Sequence, residues 1–142
     1  MMKVREAKTN DVAEINELTE QYGWEPVDDR WMDDVALVAE LDGKIVGFVW
    51  AMVSKSLRVA YIDYLAADPK TKRVGSILGS AIMERLETLG VERIFSVVCL
   101  DGSEFSAKSS AVNLRNGLSL VENPYVLFVK TKRSEEKKSW AV

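Results

Sequence analysis

The segment Lys70-Thr71-Lys72-Arg73-Val74-Gly75-Ser76 joins a strand-like run to a strongly helical one. The first amides of a helix have no intrahelical acceptor, and the helix dipole favours an anion beside them. Lys70, Lys72 and Arg73 add positive charge at the same point, and Gly75 lets the backbone come close to a ligand. With the amides of Val74, Gly75, Ser76 and Ile77, these residues read as a pyrophosphate cradle. Gly75 equally reads as a turn residue that needs a positive φ. The Gly-Lys-Ser/Thr ending of a Walker A loop is absent, and Gly75 and Gly79 alone do not make a dinucleotide fingerprint.

The acid–base candidates lie just before this loop. Asp63 reads as a general base, or as a solvated carboxylate at a strand edge. Side chains alternate along a strand, so Tyr64 or Tyr61 takes the role if Asp63 points to the other face. The chain has no histidine, which excludes Ser-His and Cys-His nucleophile pairs and zinc sites built on imidazole. Its single cysteine, Cys99, can form neither an internal disulfide nor a thiolate cage, and reads as a buried, inert thiol. No metal site is expected.

Periodicity places these residues on elements. Lys3 to Ala7 reads as a first strand. Asp11 and Glu14 form a capping-box pattern, followed by the helical stripe Val12, Ile15, Leu18 and Tyr22, with Gly23 closing the helix. Residues 24–34 read as irregular or as a short helix. Val35 to Leu41 reads as a strand with Val35, Leu37, Ala39 and Leu41 on one face. Asp42-Gly43 is a hairpin turn. The return strand, Lys44 to Val53, is apolar on both faces, so it belongs at the centre of a sheet. Ile45, Val49, Ala51 and Val53 are expected on one side, with Val46, Phe48, Trp50 and Met52 on the other. Val59 to Ala67 is a further strand. A helix through Ile77, Leu78, Ala81, Ile82, Leu86 and Leu89 ends at Gly90. Ile94 to Leu100 is a strand, and Ser103 to Arg115 a loop and helix. Leu118 to Glu122 and Tyr125 to Lys130 form a last strand pair around Asn123-Pro124. Residues 131–142 are charged and poor in core residues, and read as a flexible tail. The order βα(α)βββαβαββ describes one α/β domain over residues 1–130, with a mixed central sheet flanked by helices.

Of the 142 residues, 47% are hydrophobic and 29% charged, the balance of a globular protein with a real core. The net charge of -3 gives no global case for nucleic-acid binding. No apolar run reaches membrane-spanning length, and Met1 to Glu6 lacks a signal-peptide pattern. With one cysteine, these features lead to the expectation of a cytoplasmic protein.

Leu65-Ala66-Ala67-Asp68-Pro69, running into Lys70 to Ile77, resembles the signature region of the GNAT N-acetyltransferase superfamily. There, Leu-x-Val-x-Pro is followed by Arg/Gln-x-x-Gly-x-Gly/Ala and a helix. Val4 to Val12, the Asp42-Gly43 hairpin and the helix ending at Gly90 are also similar. Two features depart from the pattern. If Lys72 opens the motif, Ile77 stands where Gly or Ala belongs; if the helices are matched instead, Gly75 is the last motif residue and the loop is shorter. The stretch Asn113 to Leu118 lacks the Tyr that many members use as a general acid. The resemblance implies a GNAT-like fold and acetyl-CoA as cofactor, bound in the splay between the fourth and fifth strands. It places backbone groups of Leu65 and Ala67, with Ala66 between them, along the pantetheine arm. The implied partners are acetyl-CoA and an amine acceptor, either a small molecule or a protein amine, which attacks the thioester directly. A homodimer is left open.

Overall fold

The computed structural model describes residues 1–27, 31, 34–96 and 104–118. The elements are β1 (Met2–Glu6), a 3-10 turn (Thr9–Asp11), α1 (Val12–Glu20), β2 (Val35–Leu41), β3 (Lys44–Ser54), β4 (Val59–Ala67), α2 (Val74–Thr88), β5 (Arg93–Ser96) and α3 (Glu104–Arg115). They follow the expected order as far as α3. Apart from Leu118, the expected last strand pair lies outside the described residues, as do the tail, Cys99 and the part of the expected Ile94 to Leu100 strand beyond Ser96. Among the described residues, no helix is long and apolar enough to cross a membrane.

Among the described residues, one five-stranded sheet runs in the order β1-β2-β3-β4-β5. The first three pairings are antiparallel, and β4 pairs with β5 in parallel. Strand β3 is therefore an interior strand, as its two apolar faces require. Asp42 and Gly43 both take positive φ, 51° and 79°, the backbone a tight two-residue hairpin needs. Val35, Leu37, Val49, Leu78, Ile82 and Leu86 belong to the core on the α2 side of the sheet. Ile15, Leu18, Val38, Phe48, Trp31 and Trp50 form the core on the α1 side. Trp31 and Trp50 are thus core residues.

Two irregularities correct the simple alternation. Ala39 pairs with Gly47 but Glu40 with Ile45, so Val46 is an extra residue in β3. The bulge puts Ile45 with Phe48 and Trp50 on the α1 side, and Val46 with Val49 and Ala51 on the α2 side. That exchanges the faces expected for Ile45 and Val46. In the second bulge, Trp50 pairs with Tyr64 but Ala51 with Ile62, which leaves Asp63 as the extra residue of β4.

The helix start near Asp11 also differs from the expected capping box. The Asp11 carboxylate accepts the Lys8 amide at 2.7 Å and two Arg5 guanidinium nitrogens at 2.8 and 3.0 Å. The Glu14 carboxylate instead reaches across to accept the Ile45 amide at 2.6 Å. The acid three residues after the cap is thus Asp11, because a 3-10 turn precedes α1. Arg5 also donates to Glu40 at 3.0 Å, so one guanidinium ties β1, β2 and the helix entry together. Arg5 holds the Asp11 carboxyl below the usual carboxylate range, against the opposing effect of burial. A depressed folded pKa contributes stability above the unfolded value, and loses it as pH falls through the folded value. Asp11→Asn is expected to cost about 2–4 kcal/mol at neutral pH, because Arg5 keeps its charge beside a neutral amide. The difference from the parent should shrink below roughly pH 4. Denaturant unfolding across that range measures it; a constant difference would show that Asp11 acts by packing.

Candidate active site

The site is built at the C-terminal end of β4. These strands pair from Val59↔Arg93 to Ile62↔Ser96, while β4 continues to Ala67. The Asp63 bulge falls immediately after the last described β4–β5 rung. Beyond it, Asp68 donates its amide to the Val46 carbonyl at 2.8 Å, toward β3. Successive residues of a strand turn their N–H and C=O to alternate edges. Ala67 and Leu65 therefore direct theirs to the edge away from β3, and Ala66 directs its own toward β3.

The edge leads into the start of α2. Asp68 organises the loop: its carboxylate accepts the Lys70 amide at 3.1 Å and the Thr71 hydroxyl at 3.0 Å, and its carbonyl accepts the Thr71 amide. Arg73 precedes the helix in the left-handed region, φ 70°. That conformation is strained for a residue with a Cβ, and it turns the chain abruptly into α2. Val74, the first helical residue, is 1% exposed and anchors α2 in the core. Gly47 of β3 permits this anchoring. A Cβ there would lie 2.3 Å from Val74 Cγ1 and 2.6 Å from Leu78 Cδ1.

Helix α2 thus begins directly after Arg73. The Ile77 amide donates to the Arg73 carbonyl at 3.0 Å. This corrects the expected set of open amides to Val74, Gly75 and Ser76. Gly75 is helical and not among the glycines of positive φ, which removes the turn reading. Lys70, Lys72 and Arg73 are all exposed around this helix start. Arg115, from the end of α3, donates to Ser76 Oγ at 2.8 Å and brings a fourth cation to it.

On the α1 side, Tyr64 stacks on Trp50 with centroids 5.7 Å apart and meets Trp24 edge-on at 5.4 Å. Its hydroxyl donates to the Glu25 carbonyl at 3.1 Å. Asp63 is exposed beside it. Tyr61 lies on the same face, two residues before the bulge. The Leu65 and Ala67 edge, the cations and the three amides are brought together; Tyr64 lies in an aromatic wall on the α1 side.

Tyr22 and Gly47 escape a reading of the sequence as site residues. The Tyr22 hydroxyl donates to the Ala67 carbonyl on that edge, and its ring stacks on Trp24 at 5.0 Å. Burial raises the Tyr22 pKa and keeps the phenol protonated, with Asp68 pushing the same way. No sequence signal announces a contact across 45 positions. Gly47 does leave one: a lone glycine inside an apolar strand marks close approach of another element.

The sequence model of the acetyltransferase (GNAT) family matches residues 6–107. No curated protein matches the chain significantly in sequence. Among solved structures, a ribosomal-protein-alanine N-acetyltransferase from Brucella melitensis biovar Abortus 2308 is 18% identical, with a TM-score of 0.66. The match covers 89% of this chain and 97% of that one. An aminoglycoside acetyltransferase from an uncultured soil metagenomic sample, in complex with trehalose, is 18% identical with a TM-score of 0.67, over 92% and 97% of the two chains. N-acetylglutamate synthase from Neisseria gonorrhoeae, complexed with coenzyme A and N-acetyl-glutamate, is 20% identical with a TM-score of 0.62. That match covers 76% of this chain and 28% of the synthase. At these identities the likeness is one of fold.

Proposed function

Because the chain belongs to the GNAT acetyltransferase family, we propose that it moves an acetyl group from acetyl-CoA to a primary amine, by direct attack in a ternary complex. The observation that carries this reading is the β4 edge turned away from β3, which leads directly into the first three amides of α2 and the four cations around them. In this reading the Val74, Gly75 and Ser76 amides, with Lys70, Lys72, Arg73 and Arg115, hold the pyrophosphate. Leu65 and Ala67 pair through their backbones with the pantetheine arm. The Ala67 carbonyl has a second lone pair beside the one Tyr22 uses. Ala66, turned toward β3, holds the register of that edge.

Acetyl-CoA supplies an activated thioester. The chain's contribution is to fix the amine against it, and to take up a proton. Transfer forms the N–C bond and breaks the C–S bond. The amine's proton goes to Asp63, with Tyr64 as the alternative acceptor. Asp63 suits the role because the bulge sets it apart from the β3–β4 ladder, next to the Ile62↔Ser96 rung.

Asp63→Asn is expected to lower kcat by about 10–100-fold at neutral pH, with acetyl-CoA affinity unchanged. The loss should shrink as pH approaches the acceptor's own pKa, where the amine is already neutral. Initial rates against pH, with the Kd for acetyl-CoA measured alongside, test this; equal rates throughout would remove Asp63 from the mechanism. A second reading, a GNAT-fold protein that holds acyl-CoA or a protein partner with little or no turnover, draws on Asn113 to Gly117, which offers no Tyr to the leaving thiolate. Tight acetyl-CoA binding with no transfer to any amine would establish it.

A further inference from the structure

On the face of the sheet opposite α2, among the described residues, one cross-strand row is partly exposed. Met52 pairs with Tyr61, and Tyr61 with Phe95. Their neighbours Ala51, Ala60, Ile62 and Ile94 pack on the α2 side, so the three side chains share the other face. Met52 is 39% exposed and Phe95 50%, in a sheet whose other large side chains are mostly buried. With Val59 and Asp34 they line a cleft of about 370 Å³.

Charge and position both point to what this cleft takes. The row lies one rung before Ile62↔Ser96, the last described β4–β5 rung. A donor arm laid along β4 from Ala67 toward Asp63 therefore ends beside it. The Asp34 carboxylate forms part of the cleft wall, accepting Trp50 Nε1 at 3.2 Å and the Val53 amide at 3.0 Å. Asp63 stands exposed two residues beyond Tyr61 on β4. The cleft thus offers an apolar floor with the Asp34 carboxylate in its wall.

We infer that the acceptor is an amine carrying an aromatic or similarly flat apolar body, which lies on the Met52–Tyr61–Phe95 row with its amine toward Asp63. The inference rests on the acetyltransferase reading for its chemistry, and on the row alone for the acceptor's shape. A hydrophilic polyamine would leave the row exposed and gain nothing from it. An arylalkylamine removes that surface from water and meets Tyr61 and Phe95 ring to ring.

The test uses 2-phenylethylamine and spermidine as probes, with the methionine methyl groups labelled with carbon-13. Without acetyl-CoA, 2-phenylethylamine is expected to shift the Met52 methyl resonance saturably, and spermidine is not. Phe95→Ala and Tyr61→Ala should each weaken that binding about tenfold, while Tyr61→Phe retains it. Because Phe95 is half exposed, its truncation leaves the core intact. With acetyl-CoA, the parent should acetylate 2-phenylethylamine with a KM at least tenfold below that for spermidine. Saturable amine binding without transfer would sustain the acceptor inference and sink the acetyltransferase reading. Transfer to spermidine in preference, unaffected by Phe95→Ala and Tyr61→Ala, would overturn the inference and spare that reading. Concentration-dependent dimerisation abolished by Phe95→Ala would also overturn it, by assigning the row to a second copy of the chain.

Discussion

Alanine at position 47 is expected to lower the melting temperature by about 4–10 °C, from an overpacking cost of about 1–3 kcal/mol in a domain of this size. The added methyl would meet Val74 Cγ1 and Leu78 Cδ1 far inside contact distance, with the Ala66 carbonyl 3.3 Å away on the third side. Val74 is the first residue of α2 and Leu78 lies one turn later. The relief therefore comes from lifting the helix start off the sheet, because the β3 backbone is pinned between β2 and β4. That movement carries the amides of Val74, Gly75 and Ser76 away from the β4 edge. Gly47→Ala should thus weaken acetyl-CoA binding by about tenfold or more in protein that is still folded, since a displacement near 1 Å suffices to spoil a set of convergent donors. Thermal unfolding with and without acetyl-CoA separates the two effects. A large loss of stability with an unchanged ligand-induced shift would place the cradle elsewhere.

The second large effect concerns charge. Lys72→Ala and Arg73→Ala together are expected to weaken acetyl-CoA binding by about 10–100-fold at low salt, each removing a cation that would face phosphate. Because both side chains are exposed, the loss should shrink as salt rises. Arg73 adds a contrast. It sits at φ 70°, where a side chain costs about 1 kcal/mol relative to glycine. Arg73→Gly should therefore weaken binding as Arg73→Ala does, yet leave the protein at least as stable. Isothermal titration at two salt concentrations, with melting curves for each variant, makes the comparison. Parent-like affinity in the double variant at low salt would refute the loop assignment.

The parts of the fold legible in the sequence are those set by period and punctuation. The two-sided apolar run of β3 placed it at the centre, Asp42-Gly43 fixed the hairpin, and the stripe ending at Gly90 gave α2. The bulges were not placed by the alternation, because one extra residue shifts the register without fixing where in the strand it falls. Hence Ile45 and Val46 exchange faces, and Asp63 becomes a bulge residue. The basic loop was visible as composition, but its backbone was not. Nothing in Lys70 to Ile77 shows that Arg73 turns left-handed, or that its carbonyl takes the Ile77 amide. Long-range polar contacts were the least legible. The Glu14 carboxylate on Ile45, the Arg115 guanidinium on Ser76 and the Tyr22 hydroxyl on Ala67 each join residues more than 30 positions apart. They depend on where whole elements dock.

The most direct test of the central claim is a titration of nitrogen-15-labelled protein with acetyl-CoA, followed through its backbone amides. The account predicts saturable shifts that are largest at Val74, Gly75 and Ser76, and at Leu65 and Ala67 along the β4 edge. A smaller change is expected at Ile77, whose amide is already committed to Arg73. Folded protein that shows no saturable shift at those five amides with millimolar acetyl-CoA, or shifts confined to another surface, would contradict the account.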